Sequence, residues 1–430
     1  MGWGNDCCNM ENILRIRNRD HLSSCRFSQQ RKGYEDGMVA LEVDPCTDFV
    51  SDVTHSFIFH APAATLTILV DIFKKVLFLL PIIYVNLTNY EKKVLYGIAK
   101  FPNANDRQLA EKFGMKQSTV AAIRKRLREE GYYRIYSIPM LQNFGAEMMA
   151  VIHTNFNPVI PMEKRIEITE EKIEAAEEIF FSVGEEDKGF SLSFAKNYTA
   201  IGKINDIRTT TFGSLGLLEK EYPKEVIFPF EISKTYRFFN FAPLLAKIFG
   251  IKDDNKYEEN FFDIKNAELS NREKKVFCKI IEYPELPSKD IAEMLGITRH
   301  TVGRMRRKFV EERYIKTMVV PNFEKLDLRI LAFYYVPLNP HTPPEFEKNE
   351  LKELLHEEII FFATRRFEFV AISIHPDYES YKMCKTEIMQ KLKENDWISL
   401  TPLIRTYSLN KTKIIKDFNF LPITKKLILA

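Results

Sequence analysis

Leu109-Ala-Glu-Lys-Phe-Gly-Met115 with Thr119-Val120 behind it, and Ile291-Ala-Glu-Met-Leu-Gly-Ile297 with Thr301-Val302 behind it, are one stretch of sequence written twice, 182 residues apart. The match begins upstream, at Leu87-Thr-Asn-Tyr-Glu-Lys-Lys-Val94 against Leu269-Ser-Asn-Arg-Glu-Lys-Lys-Val276. It runs without a gap to Pro139 and Pro321 and returns at Asn157-Pro158 and Asn339-Pro340. A unit of this length is a duplicated domain pair rather than the 20 to 50 residue period of a solenoid.

Each copy predicts three helices. In the first, apolar spacing marks a helix around Val94 and Ile98, a second over 106–113 and a third over 117–130, with Gly114 between the last two. A glycine there supplies the left-handed turn of a helix-turn-helix, and the apolar residue after it, Met115 or Ile297, plugs the interhelical angle. Ser288 is expected to cap the second helix of the second copy and Thr298 the third. The first copy has Lys116 where Thr298 stands, which weakens that cap. Val120, Ile123 and Leu127, and in the copy Val302, Met305 and Phe309, form the core face. The alternating stretches 132–138 and 314–320 read as short wing strands.

Charge separates these units from the rest. The chain has 430 residues, 45% of them apolar, and a net charge of +3. Residues 87–139 hold 11 Lys/Arg against 5 Asp/Glu, and residues 269–321 hold 12 against 7, so the two stretches carry +6 and +5 and the remainder −8. Two matching basic footprints point to a polyanion, most simply double-stranded DNA. Small residues mixed with long donors suit a helix entering a major groove. The candidate contacts are Gln117, Ser118, Ala121, Arg124, Lys125 and Arg128 in the first copy, and Arg299, His300, Gly303, Arg304, Arg306 and Arg307 in the second.

Behind each helical unit the pattern reads strand, helix, strand, strand, helix, strand, the order of a ferredoxin-like βαββαβ sandwich. The first copy gives 148–156, 168–179, 180–183, 189–195, 200–218 and 226–232. The second gives 330–338, 344–356, 359–364, 367–375, 378–394 and 398–407. Matching tails close both, Phe239-Asn-Phe-Ala-Pro-Leu244 and Phe418-Asn-Phe-Leu-Pro-Ile423. The expected fold class is therefore α+β, with winged helix-turn-helix units at 85–143 and 267–325, ferredoxin-like domains at 144–250 and 326–430, and a polar linker at 251–266.

Residues 1–84 differ in kind. They hold four of the six cysteines at spacings that fit neither a zinc site nor a disulfide framework. The apolar run up to Val85 has Asp71, Lys74 and Lys75 at its centre, which disfavours a membrane span. This extension is expected to be disordered or to result from a start placed upstream of the native one, and the chain to be cytoplasmic.

The pattern Leu-Ala-Glu-x-x-Gly-[Ile/Met]-x-x-x-Thr-Val ahead of a βαββαβ domain resembles the Lrp/AsnC (feast/famine) family of transcription regulators, over residues 87 to about 240 and again 269 to about 420. The resemblance implies DNA binding, pairing through the ferredoxin-like domains, and an amino acid or other small effector. Val183-Gly184-Glu-Glu-Asp187 is similar to the family's Gly-x-x-Asp turn and makes Gly184 and Asp187 candidate effector residues. The second copy has Ala363-Thr-Arg-Arg-Phe-Glu368 there, without the glycine. Two copies in one chain predict a pseudo-dimer whose sandwiches pair at high effective concentration and whose half-sites differ.

The sirohaem decarboxylases resemble this architecture too and supply the alternative, a tetrapyrrole enzyme with histidine or basic residues facing a cavity; His153, His300, His356 and His375 are the candidates. A ligand-sensing scaffold without DNA binding is a third reading. No phosphate-binding glycine loop, nucleophile elbow or carboxylate pair is present, so the expectation is a protein that is not an enzyme and has no cofactor or metal.

Overall fold

The computed structural model describes residues 87–253, 266–345 and 348–429. The extension 1–84 and most of the linker at 251–266 lie outside them.

Helices α1 (Asn89–Lys100), α2 (Asp106–Phe113) and α3 (Gln117–Glu129) form the first head, and α7 (Asn271–Glu282), α8 (Ser288–Leu295) and α9 (Arg299–Glu311) the second. Their boundaries follow from local chemistry. Thr88 and Ser270 open α1 and α7 with capping boxes to Glu91 and Glu273, satisfying amides that the helix leaves orphaned. Gly114 and Gly296 close α2 and α8 at φ +64° and +63°, a conformation that a Cβ would strain. Thr298 caps α9 through the Thr301 amide, and Lys116 gives α3 no side-chain cap. Ser288 does not cap α8. Pro287 occupies the cap position and Ser288 is the first helical residue.

The strands after the heads, β1 (Tyr133–Pro139) and β7 (Ile315–Pro321), do not fold back as wings. They pair antiparallel with each other, from Tyr133↔Pro321 to Pro139↔Ile315. The register centres on Tyr136↔Met318, which are counterparts at the repeat offset, so a local dyad runs through this ribbon and relates the heads. Contacts across the ribbon obey it. Glu285 of the second head accepts from the Ile135 amide at 3.1 Å, and Asn103, its counterpart in the first head, accepts from Thr317 Oγ1 at 2.9 Å.

The first sandwich comprises β2 (Met148–Asn155), α4 (Met162–Ala175), β3 (Ile179–Gly184), β4 (Lys188–Ala195), α5 (Tyr198–Ser214) and β5 (Lys224–Pro229). The second has β8 (Ile330–Pro337), β9 (Ile359–Arg365), β10 (Glu368–His375), α10 (Tyr378–Glu394) and β11 (Leu403–Ser408). Both sheets show the antiparallel order fourth, first, third, second, as β5-β2-β4-β3 and β11-β8-β10-β9. Among the described residues of 344–356 the expected helix does not form; a short 3-10 turn, Glu350–Leu354, stands there. Asn349 just before it takes a left-handed φ of +56° and accepts from Lys234 Nζ and Tyr236 Oη at 3.1 Å each, which holds the chain out of helical geometry.

Those donors come from the first half. Strand β6 (Lys234–Arg237) leaves the first sandwich and adds to β9 of the second, while β12 (Lys413–Lys416) leaves the second and adds to β3 of the first, so each sheet has five strands. Arg237 is fully buried in its new site and donates to the carbonyls of His356, Ile359 (2.7 Å) and Leu355 (3.4 Å). One apolar core runs from both heads through the facing sheets, built on Phe180, Phe194, Phe238, Phe333, Phe361 and Phe420 among others. Helices α6 (Ala242–Phe249) and α11 (Leu421–Ile428) return to pack on α1 and α7. Among the described residues no helix is long and apolar enough to cross a membrane.

Candidate nucleic-acid interface and central cleft

Helix α9 presents its two faces as the spacing predicts. Val302, Met305 and Phe309 are buried, and Arg299, His300, Arg304 and Arg307 are exposed. The three exposed arginines make no ion pair among the described residues. Between them Gly303 leaves the surface open: a Cβ built there meets no atom within 4 Å. The backbone of this face can therefore approach a flat partner closely, with three guanidiniums around it.

Helix α3 is less charged on that face. Gln117 and Ser118 are exposed, Ala121 is half-buried, and the exposed Lys125 lies 3.7 Å from Glu129. Arg128 lies 3.7 Å from Glu285 of the other head. Two predicted contacts turn inward instead. Arg124 donates to the Ala104 carbonyl at 2.9 Å and pairs with Asp106 at 2.8 Å; its counterpart Arg306 donates to the Leu286 carbonyl at 2.8 Å, and burial lowers its pKa. These two arginines brace the turn before the second helix of each head. Sequence spacing alone did not separate them from Arg304 and Arg307, because inward and outward arginines sit one or two residues apart on a half-exposed helix.

In the second head Lys308 reaches back to Glu273 at 2.7 Å, and that hydrogen bond, with the Ser270 cap, holds the Glu273 carboxyl down at about 2. The folded value lies below the ordinary one, so this stabilisation is complete above about pH 4.5 and is lost as pH falls toward 2. We expect the urea midpoint of the chain to drop across that window, and a Glu273→Gln variant to flatten the drop.

The candidate effector turn is a structural junction. Arg165, almost fully buried, lies over the Phe156 ring at 4.2 Å and donates to the carbonyls of Glu185 and Glu186. Glu185 in turn accepts from the Ser408 amide and from Thr412 Oγ1 (3.1 Å) of the second half. Gly184 ends β3 beside Ile415, and Asp187 is exposed next to Lys188 at 3.2 Å.

A cleft of about 890 Å³ opens where the ribbon meets both sheets and both tails. Its apolar floor includes Phe181, Phe239, Phe418, Ile360, Ile372 and Ile374, and its rim carries Arg134, Arg329, Glu324, Asp327 and Asp417. Asp417 accepts from Tyr136 Oη at 2.8 Å and from Arg134 Nη1 at 2.5 Å; Asp327 takes Arg329 bidentately at 2.7 and 2.9 Å. Neither Gly184 nor Asp187 lines it, although Val183 does.

None of the candidate histidines lines the cleft. His153 is buried against Phe333 and Tyr335, and His375 is buried with Nε2 2.7 Å from Ser373 Oγ; burial lowers both to about 3, so both stay neutral. His356 sits 3.2 Å from Glu387, and burial lowers it as well. His300 is on the exposed face of α9. Among the described residues no group of three or more His, Cys, Asp or Glu is placed to hold a metal ion.

The fold class is α+β, with mixed helical units and ferredoxin-like sheets. No family model and no curated protein matches the chain. Among solved structures, the siroheme decarboxylase NirDL is similar over 79% of this chain and 98% of its own, at 14% identity and a TM-score of 0.44. The same enzyme with an iron-uroporphyrin III analogue covers 80% and 99%, at 13% identity and 0.45. An AsnC-family transcriptional regulatory protein from Pyrococcus furiosus covers 33% of this chain and 88% of its own, at 21% identity and 0.26. A Neisseria meningitidis transcriptional regulator in complex with L-Met covers 33% and 89%, at 16% identity and 0.27. The first two correct one expectation. The sequence predicted a protein that is not an enzyme, whereas a solved chain similar over 79–80% of this one is an enzyme, the siroheme decarboxylase NirDL.

Proposed function

We propose that this chain binds double-stranded DNA as a single-chain pseudo-dimer and acts as a transcription regulator of the Lrp/AsnC kind, its two heads reading unlike half-sites. The observation that carries the reading is the exposed face of α9, where Arg299, Arg304 and Arg307 surround an unobstructed Gly303 without ion-pair partners among the described residues. A solvated helix face would more often be laced with i,i+4 pairs, which satisfy such charges locally. The ribbon dyad supports two heads acting together, since it relates α3 to α9 as the two recognition helices of a dimer are related. The faces differ, Gln117 and Lys125 against Arg299, Arg304 and Arg307, so guanine contacts concentrate on the second half-site.

The tetrapyrrole alternative asks for a basic cavity able to hold many carboxylates. In the cleft both arginines are already paired with aspartates, Glu324 adds a third carboxylate, and no histidine lines it. That lining favours the DNA reading over a polycarboxylate macrocycle in this position.

The test is binding of the full chain to fragmented genomic DNA across a salt series. Selective binding whose log affinity falls steeply and linearly with log salt is the expected result. Weak binding with no sequence preference at any salt concentration would sink the proposal, and a coloured preparation would move weight to the tetrapyrrole.

A further inference from the structure

The cleft has a counterpart by the repeat, and the two differ in a way that backbone geometry does not explain. The strand registers of the two sheets are the same: Met149 faces Phe194 as Leu331 faces Ile374, and Val183 faces Phe190 as Ala363 faces Val370. Four residues lining the cleft, Ile360, Ile374, Leu409 and Asp417, have phenylalanines as counterparts, Phe180, Phe194, Phe230 and Phe238. Those rings fill the other side. Phe194 lies 4.7 Å from Phe180, 5.9 Å from Phe238 and 6.0 Å from Phe230, measured between centroids.

The placement of carboxylates differs between the two sides as well. The three carboxylates of the open side, Glu324, Asp327 and Asp417, correspond to Gln142, Gly145 and Phe238 on the closed side. The closed side has carboxylates of its own at its edge, since Arg329 and Asn410 correspond to Glu147 and Glu231, so what sets the open side apart is its space and the three acidic groups placed around it. Two of the carboxylates are matched by Arg134 and Arg329, and Glu324 stands exposed at the rim without an ion pair among the described residues. An apolar floor with a few polar groups at its edge, in a volume of this size, has the form of a small-molecule site. The unmatched carboxylate selects a cation.

We propose that this cleft binds a protonated amine carrying an apolar, ring-sized body, the body on Phe181, Phe239 and Phe418 and the ammonium at Glu324. It takes one ligand per chain, because the counterpart site is filled by its own phenylalanines. This does not rest on DNA binding, and its test uses none.

Two fluorescent probes share one body and differ in charge: dansylcadaverine ends in a primary ammonium and dansylglycine in a carboxylate. With the full chain, dansylcadaverine should give a saturable, one-to-one rise in fluorescence and bind about tenfold more tightly than dansylglycine. Ile374→Phe, which imports the closed side's residue, should reduce its affinity tenfold or more by occupying the floor. Glu324→Gln, a surface change, should weaken it about threefold and reduce its salt sensitivity. The proposal is overturned by absence of saturable dansylcadaverine binding, by equal or tighter binding of dansylglycine, or by full affinity in folded Ile374→Phe. If Ile374→Phe proves unfolded by circular dichroism, Glu324→Gln decides, and unchanged affinity there overturns it.

Discussion

Replacing Arg304 and Arg307 together by alanine should weaken duplex DNA binding by the full chain about a hundredfold, since a guanidinium on a base edge is worth about 1 to 3 kcal/mol and about 1.4 kcal/mol is a factor of ten. Neither side chain makes an ion pair among the described residues, so the variant should keep the circular dichroism and melting temperature of the parent. The salt dependence tells what the arginines touch. A slope of log affinity against log salt that shrinks by about 0.9 for each arginine lost marks phosphate contacts, and an unchanged slope with relaxed guanine preference marks base contacts. Arg306→Ala serves as the control with the opposite pattern. That arginine is spent on the Leu286 carbonyl, so its loss costs about 1 to 2 kcal/mol of stability and little DNA affinity beyond that. A folded double variant that binds DNA as the parent does would remove α9 from the interface.

Arg237→Leu should destabilise the chain by about 3 kcal/mol or more, because it strips hydrogen bonds from buried carbonyls at an exchanged strand and each group left unpaired costs about 1 to 3 kcal/mol. Its counterpart Lys416 pins the reciprocal strand by a bond to the Ala176 carbonyl at 3.0 Å, so Lys416→Leu should cost about 1 kcal/mol. Urea unfolding followed by circular dichroism and by Trp397 fluorescence measures both. Equal and small losses in the two variants would show that the exchange of β6 and β12 is not a strong clamp between the halves. A large loss at Arg237 alone would show that the clamp is one-sided.

Much of the candidate interface was legible in the residues, and the reason is local. Gly114 and Gly296 are required by a turn at positive φ, Thr298 by an orphaned amide, and the buried faces of α3 and α9 by a period of 3.6 residues. None of these depends on what lies across the molecule. Arg124 and Arg306 were read as outward contacts because periodicity assigns a side chain to a face, not to a partner, and each had a carbonyl twenty residues upstream to satisfy. The cleft had no local signature at all. Its floor and rim come from the ribbon, both sheets and both tails, and it is open only because four positions carry Ile, Leu or Asp where the other half carries Phe.

The sequence by itself determined the two heads, their glycine turns, the order of strands in both sandwiches and the uneven charge of the exposed faces of α3 and α9, since each follows from spacing or backbone demands within a few residues. Only the tertiary structure decided that β1 and β7 pair with each other instead of forming wings, that β6 and β12 change sheets, that Asn349 interrupts the helix expected at 344–356, and that one of two matching clefts stays open. A strand's alternation says which face is buried but not which edge its amides will find, and that choice is made by hydrogen bonding between segments far apart in the chain.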